Sequence, residues 1–208
     1  ETIGYAYDKN GNQLTVTNSE GTITRVYDEL GRVINKTISD VGTSTIQYDA
    51  TSGLAAGCVG EITTDSQGNS NTKNYDRAGR LYQVVSGSDT TTYTYYDNGN
   101  RESLTYPNGL TAEYTYYANN SLHTLANMDG GTYLSTYNYA YDANGNLLTV
   151  LDIDGTTTYT YDELNRLESV TEPGGKVTEY TFDASGNRAT EEVTDASDIT
   201  LTTYTYTA

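Results

Sequence analysis

The residues that could do chemistry are few and scattered. The single histidine, His123, lies two places after Ser121 and just before Thr124. No spacing around it marks a Ser-His-Asp arrangement, which is recognised by geometry rather than by sequence position. One histidine also excludes an HExxH metalloprotease helix. Cys58 is the only cysteine. An intrachain disulfide framework and a multi-cysteine metal site are therefore excluded, and the thiol reads as a small apolar residue. Glu191-Glu192 and Asp152-Ile153-Asp154 could supply the two carboxyl groups of a glycosidase. With 28 Asp and Glu in 208 residues, such neighbours are expected by chance. Asp152-Ile153-Asp154-Gly155 also resembles the start of a calcium loop, but the remaining positions do not complete the pattern. No catalytic residue, metal ligand or cofactor is assigned, and the chain reads as a non-enzyme.

The charge excludes further classes. Lys and Arg number 11 and Asp and Glu 28, so the net charge is 11 − 28 = −17. A nucleic-acid partner is excluded, because phosphate binding needs a basic patch. Docking on anionic lipid is disfavoured for the same reason. No apolar run reaches the roughly 20 residues of a membrane helix, so membrane insertion is not expected. The chain opens at Glu1 without a signal-peptide pattern. It reads as a mature chain or a piece of a longer one.

What must hold any structure together is tyrosine. The chain has 22 Tyr but one Phe, one Met and no Trp. A low apolar content can signal disorder, but disordered chains are poor in aromatic and β-branched residues. Tyr and Thr favour strands.

The sequence repeats itself. Tyr7-Asp8 with Gly11, Tyr27-Asp28 with Gly31, Tyr75-Asp76 with Gly79, Tyr141-Asp142 with Gly145, Tyr161-Asp162 with Asn165, and Phe182-Asp183 with Gly186 are copies of one motif. Degenerate copies start at Tyr48, Tyr95, Tyr116 and Tyr206; those at Tyr95 and Tyr116 carry a second Tyr where the others have Asp. The starts at 7, 27, 48, 75, 95, 116, 141, 161, 182 and 206 are 20 to 27 residues apart. A repeat of about 21 residues with occasional loop insertions accounts for them, and the longest insertion holds Gly53 to Gly60. One array covering 1–208 is expected.

Each repeat has the same grammar. Alternation such as Thr158-Tyr159-Thr160-Tyr161 predicts a strand with Tyr on one face and Thr on the other. In Asp-x-x-Gly, Asp accepts from the backbone two residues on and Gly takes the left-handed position of a turn with a bulge. Asn120 and Asn165 replace that Gly, and Asn is the side-chain-bearing residue that best tolerates the conformation. A second short strand follows, such as Leu147 to Leu151, and then a second turn such as Asp154-Gly155 or Pro173-Gly174-Gly175. Ten starts at two strands each give about 20 strands, spanning roughly 96 Å along the hydrogen bonds. Open twisted sheets rarely exceed about 10 strands without curling. The expected fold is all-β: a repetitive antiparallel β-hairpin array coiled into a spiral β-sheet tube, barrel or shell wall.

The pattern Y-D-x-x-G-[RN]-L, preceded by Y-x-Y, resembles the YD repeat, also called the RHS repeat. Tyr27 to Arg32 and Thr158 to Leu167 carry it nearly letter for letter. The resemblance implies kinship with bacterial RHS polymorphic toxins, shell subunits of insecticidal toxin complexes, wall-associated proteins and teneurins. It implies a β-sheet shell that encloses a toxic domain or serves adhesion, in a secreted or cell-surface protein of bacterial type. Toxin-type members end their repeats with a D-P-x-G-L-like segment for self-cleavage. Here neither Pro107 nor Pro173 follows an Asp, so neither autoproteolysis nor toxin activity carries over. The expected role is a structural scaffold segment. A self-assembling filament subunit and a carbohydrate-binding module are the alternatives. The expected partners are neighbouring repeats of a longer chain or other copies of this one, with a glycan as a further candidate. Asn35-Lys36-Thr37 and Asn119-Asn120-Ser121 match the N-glycosylation pattern.

Overall fold

A computed structural model of the chain describes residues 2–50 and 57–206. Thr51 to Ala56, which include the start of the longest insertion and the Gly of the Tyr48 copy, lie outside the described residues. Among the described residues there are nineteen strands and no helix. The strands are β1 (Gly4–Tyr7), β2 (Gln13–Asn18), β3 (Gly21–Tyr27), β4 (Val33–Ile38), β5 (Gly42–Ala50), β6 (Val59–Thr64), β7 (Ser70–Tyr75), β8 (Leu81–Ser86), β9 (Asp89–Tyr95) and β10 (Arg101–Thr105). They continue as β11 (Leu110–Tyr116), β12 (Leu122–Asp129), β13 (Thr132–Tyr141), β14 (Leu147–Leu151), β15 (Thr156–Tyr161), β16 (Leu167–Thr171), β17 (Val177–Phe182), β18 (Arg188–Asp195) and β19 (Asp198–Thr203). All belong to one unclosed antiparallel sheet.

The chain divides into two compact parts, Glu1–Thr94 with Leu104–Asn108, and Tyr95–Ser103 with Gly109–Ala208. In the first, β1 to β9 form a meander in which each strand pairs antiparallel with the next. In the second, β11 to β19 do the same.

Both parts have almost no enclosed core. Only Ala50, Gly60, Asn74, Leu104, Ala112 and Ala126 are buried among the described residues. On β15 the alternation is plain: Tyr159 and Tyr161 are half-buried, and Thr158 and Thr160 are exposed. The Thr face is tied by hydroxyl pairs across strands, Thr17 with Thr22 at 3.1 Å, Thr37 with Thr43 at 2.7 Å and Thr181 with Thr190 at 2.6 Å. Such cross-strand pairs are the unit of sheet stabilisation.

Two spacings longer than 21 residues are not loop insertions. Between Tyr116 and Tyr141 the additional residues lengthen β12 and β13, which reach eight and ten residues. Their turn, Gly130-Gly131, has φ values of 52° and 89°. That is the geometry a two-residue hairpin needs, and the longer hairpin carries one bulge, at Leu134, where Asn127 faces Ser135 and Met128 faces Tyr133. Between Phe182 and Tyr206 the additional residues likewise lengthen β18 and β19, joined by Ala196-Ser197.

Candidate functional site: the aspartate turn and its links to the next repeat

The recurring site is the turn that joins the two strands of each repeat. At Asp8, Oδ1 accepts from the backbone N–H of Asn10 (2.9 Å) and Asn12 (2.8 Å), and Oδ2 accepts from Asn12 Nδ2 (2.8 Å). The backbone closes the same ring: Gly11 N–H donates to Asp8 O, and Asp8 N–H donates to Asn12 O. Gly11 sits at φ 87°, and the ladder slips by one residue between Ala6 and Tyr7. A left-handed residue followed by a bulge is how such a turn keeps the strand twist.

The arrangement recurs at Asp28, Asp76, Asp142, Asp162 and Asp183. Where the fifth residue is Arg, its Nε takes the place of the Asn amide, as in Arg32 on Asp28 (2.8 Å) and Arg166 on Asp162 (2.7 Å). The pKa of every one of these carboxyls lies below its ordinary value. At Asp8 and Asp142 the side-chain hydrogen bond of the following Asn is the main cause. At Asp28, Asp76, Asp162 and Asp183 it is the backbone N–H four residues on.

One member was not singled out from the sequence. Asp65, with Gln67, Gly68 and Asn69, makes the same three bonds. It follows Thr64 instead of a Tyr and closes the other end of the hairpins, between β6 and β7. The Asp-x-x-Gly-Asn spacing alone was its signal. Two turns lack the carboxylate. In them Tyr96 and Tyr117 hold the Asp place, with the backbone ring intact, and their hydroxyls reach forward to Tyr114 O (3.0 Å) and Tyr139 O (2.9 Å).

From an aspartate turn, the aromatic residue of the next motif is held in one of two ways, and the residue after the turn Gly selects between them. After an Asn turn, the next motif Tyr donates its hydroxyl to the backbone just past that turn. Tyr27 reaches Gln13 O (2.8 Å), Tyr161 reaches Leu147 O (3.0 Å) and Tyr206 reaches Arg188 O (3.0 Å). After an Arg turn, the guanidinium lies over the next motif ring, with Arg32 4.3 Å from Tyr48 and Arg166 4.3 Å from Phe182. A cation over a ring needs no hydroxyl, which is why the only Phe of the chain fits there. Tyr27→Phe should therefore lower stability by about 0.5–1.5 kcal/mol, the worth of one hydrogen bond. Phe182→Tyr should change little. Equal urea midpoints for Tyr27→Phe and the parent would contradict this.

Asn120 and Asn165 do more than tolerate φ values of 66° and 58°. Asn120 Oδ1 accepts from Asn98 Nδ2 (3.1 Å) and Asn100 Nδ2 (2.9 Å) of the preceding turn. Asn165 Oδ1 accepts from Asn144 Nδ2 (3.0 Å) and Asn146 Nδ2 (2.9 Å) in the same way. The signal in the sequence is Asn-Gly-Asn followed one repeat later by Asn in the Gly place. Gly31 follows such a turn, and a Cβ there would lie 3.7 Å from Asn12 Oδ1. Gly31→Asn should keep the parent stability by making this bond. Gly31→Val, a β-branched residue at φ 76°, should cost more than about 1 kcal/mol. Thermal melting of the two variants checks both statements.

The residues first considered for chemistry lie elsewhere. His123 is the additional residue of the bulge between Thr115 and Tyr116, and its ring rests 4.4 Å from that of Tyr117. Ser121 donates its N–H to Asn119 Oδ1. Glu191 takes Arg188 and the Tyr204 hydroxyl. Asp152 Oδ1 accepts from Asp154 N–H (2.9 Å), a local turn bond. Cys58 is half-buried just before β6. Asn35 stands within β4, and Asn119 is exposed in a turn. Among the described residues no cluster of His, Cys, Asp or Glu could hold a metal ion.

Fold and turn together define a repetitive β-sheet protein built by one turn and its links. The RHS Repeat family model matches residues 7–45, 141–177 and 163–200. These segments are RHS, or YD, repeats. A search of the curated proteins found no match. Solved structures share the fold. A chain of the TcdB2-TccC3-TEV crystal structure matches with a TM-score of 0.59 at 15% identity, over 97% of this chain and 16% of that one. A chain of the Photorhabdus luminescens Tc holotoxin pore carrying TccC3-D651A matches with the same TM-score, identity and coverage. The TcdB2-TccC3-Cdc42 structure matches at 16% identity, TM-score 0.59, again over 97% and 16%. The chain thus spans about one sixth of the length of these structural relatives.

Proposed function

We propose that the chain is a non-catalytic scaffold, a wall segment of a larger RHS-repeat sheet in a secreted or cell-surface protein of bacterial type. The Tyr, Asp and Gly or Asn residues of its motifs act as structural joints. The observation that carries this reading is that the described aspartate turns spend their Asp and the following Arg or Asn within the turn or on the next repeat, while Tyr27, Tyr48, Tyr161, Phe182 and Tyr206 are held by the repeat before. The partners that suit such a wall are further repeats on either side. Electron microscopy of the native, unrefolded protein tests the proposal: hollow particles walled by repeats are the expected result. Filaments with one chain per period would replace it with the assembling-subunit reading.

One observation favours a second reading, a glycan-binding surface. Tyr96 packs edge-on against Tyr116 and Tyr117 against Tyr141, at 6.2 and 6.3 Å. Grooves of about 580 and 410 Å³ beside them are flanked by Asn98, Asn119 and Asn120. Rings beside amides suit a sugar. Glycan-array binding that disappears in Tyr96→Ala and Tyr117→Ala would favour it over a bare scaffold.

A further inference from the structure

The lengthened β12–β13 hairpin leaves part of β13 without a second neighbour. β13 pairs with β12 from Thr132 to Asn138, but with β14 only from Asn138 to Tyr141. Thr132 to Tyr137 therefore overhang the end of β14 at Leu151. Six residues at about 3.3 Å each make an edge of about 20 Å. In a strand paired on one side, alternate residues turn their N–H and C=O groups outward, a template for another strand; a bulge at Leu134 interrupts the alternation here, so the outward groups fall in two short runs on either side of it. Among the described residues no hydrogen bond joins this stretch to β14 or to the Asp152–Gly155 turn beyond it.

The ground beside this edge is apolar. Tyr133, Leu134, Leu151 and Ile153 are exposed, and Ile153 is 89 % exposed. They line a groove of about 300 Å³ together with Ser135, Thr136 and Asn138. Large exposed apolar side chains gathered beside an open strand edge are the marks of a binding surface. The charge around it has one sign. From Glu102 to Asn165 the sequence has eight acidic residues and no Lys or Arg. Asp152 and Asp154 flank Ile153, and Asp129 ends β12.

We propose that this edge binds an extended peptide segment of another protein, which adds as a strand along Thr132–Tyr137. Its alternate apolar side chains enter the groove, and Lys or Arg at its ends face Asp129, Asp152 and Asp154. A second copy of this chain is the poorer occupant, because it brings its own net charge of −17. The proposal does not depend on the scaffold reading.

The test uses the whole chain and a fluorescein-labelled peptide, Lys-Val-Thr-Val-Thr-Val-Arg, followed by fluorescence anisotropy. The control peptide has Glu at both ends. The basic peptide is expected to bind more tightly than the acidic one, and to weaken as salt is raised. Leu134→Glu and Ile153→Glu alter exposed side chains and should leave the melting temperature unchanged. Each should lower affinity by about tenfold, as loss of a central apolar anchor does. Amide hydrogen exchange should show protection within Thr132–Tyr137. Equal binding of both peptides, full affinity in both variants, or protection confined to β1 or β19 would overturn the proposal. So would a dimer in sedimentation that Ile153→Glu dissolves, since the groove's occupant would then be a second copy.

Discussion

Gly155→Ala will destabilise the protein by about 1–3 kcal/mol more than Gly145→Ala, although both replace a glycine of positive φ. Gly145 lies in an aspartate turn at φ 89°, and a Cβ there would meet nothing within 4 Å. Its replacement costs only the left-handed strain, about 1 kcal/mol. Gly155 lies in the turn at the other end of the hairpins, at φ 127°. A Cβ there would lie 2.8 Å from Pro173 Cβ and 3.3 Å from its Cγ. Pro173 belongs to the corresponding turn of the next repeat, and its ring cannot rotate away. Gly42 meets Ser66 in the same manner at 2.7 Å. Gly155 and Gly42 thus serve close stacking as well as conformation, whereas Gly145 serves conformation alone. Urea midpoints of the two alanine variants decide the matter, and equal midpoints would refute the stacking argument. Pro173→Gly placed in the Gly155→Ala background should restore part of the loss.

Acid will melt the protein through the aspartate turns. Seven carboxyls, those of Asp8, Asp28, Asp65, Asp76, Asp142, Asp162 and Asp183, lie below their ordinary value of 3.8. In the unfolded chain they titrate near that ordinary value. A depressed folded pKa means that the unfolded state binds the proton more readily, so stability falls as pH falls. The contribution is complete above pH 3.8 and disappears as the pH drops through the folded values. Protonation also takes an acceptor from the N–H groups two and four residues on. An opposing effect exists, since the remaining 28 − 7 = 21 acidic residues repel one another less as they neutralise. About 1 M salt screens that repulsion to a Debye length of about 3 Å. In 1 M NaCl the melting temperature should hold steady from pH 7 to about 4 and then drop. A melting temperature at pH 3 equal to that at pH 6 would exclude the carboxylate account.

The period of about 21 residues, the strand alternation and the aspartate turn could be read directly, because each depends on local residue types. β14 at Leu147–Leu151 lies where the second strand was expected, and nineteen strands stand against about 20. What could not be read depends on distance between repeats. Asn165 shows itself as a substitute for glycine, but its bonds to Asn144 and Asn146 lie across two turns. The choice between a hydroxyl link at Tyr161 and a guanidinium over Phe182 likewise requires knowing which side chain arrives from the previous repeat. Additional residues look the same in a sequence whether they lengthen a loop or a strand. Only the register of β12 with β13 tells that they built an overhang. Asp65 escaped notice because the aromatic residue that announces the other turns is missing.

The sheet has mechanical consequences. From β2 to β8, and from β12 to β18, every strand is tied to the strand before and the strand after it and draws little from any common interior. Repeats of this kind store their stability in neighbour-to-neighbour bonds. Pulled from its two ends in an optical trap, such a chain should yield in steps, beginning at whichever joint is weakest. Each step would release one repeat of about 21 residues, paying out about 70 Å of chain. The material is closer to a zip fastener than to a knot, and a tear in it travels one tooth at a time.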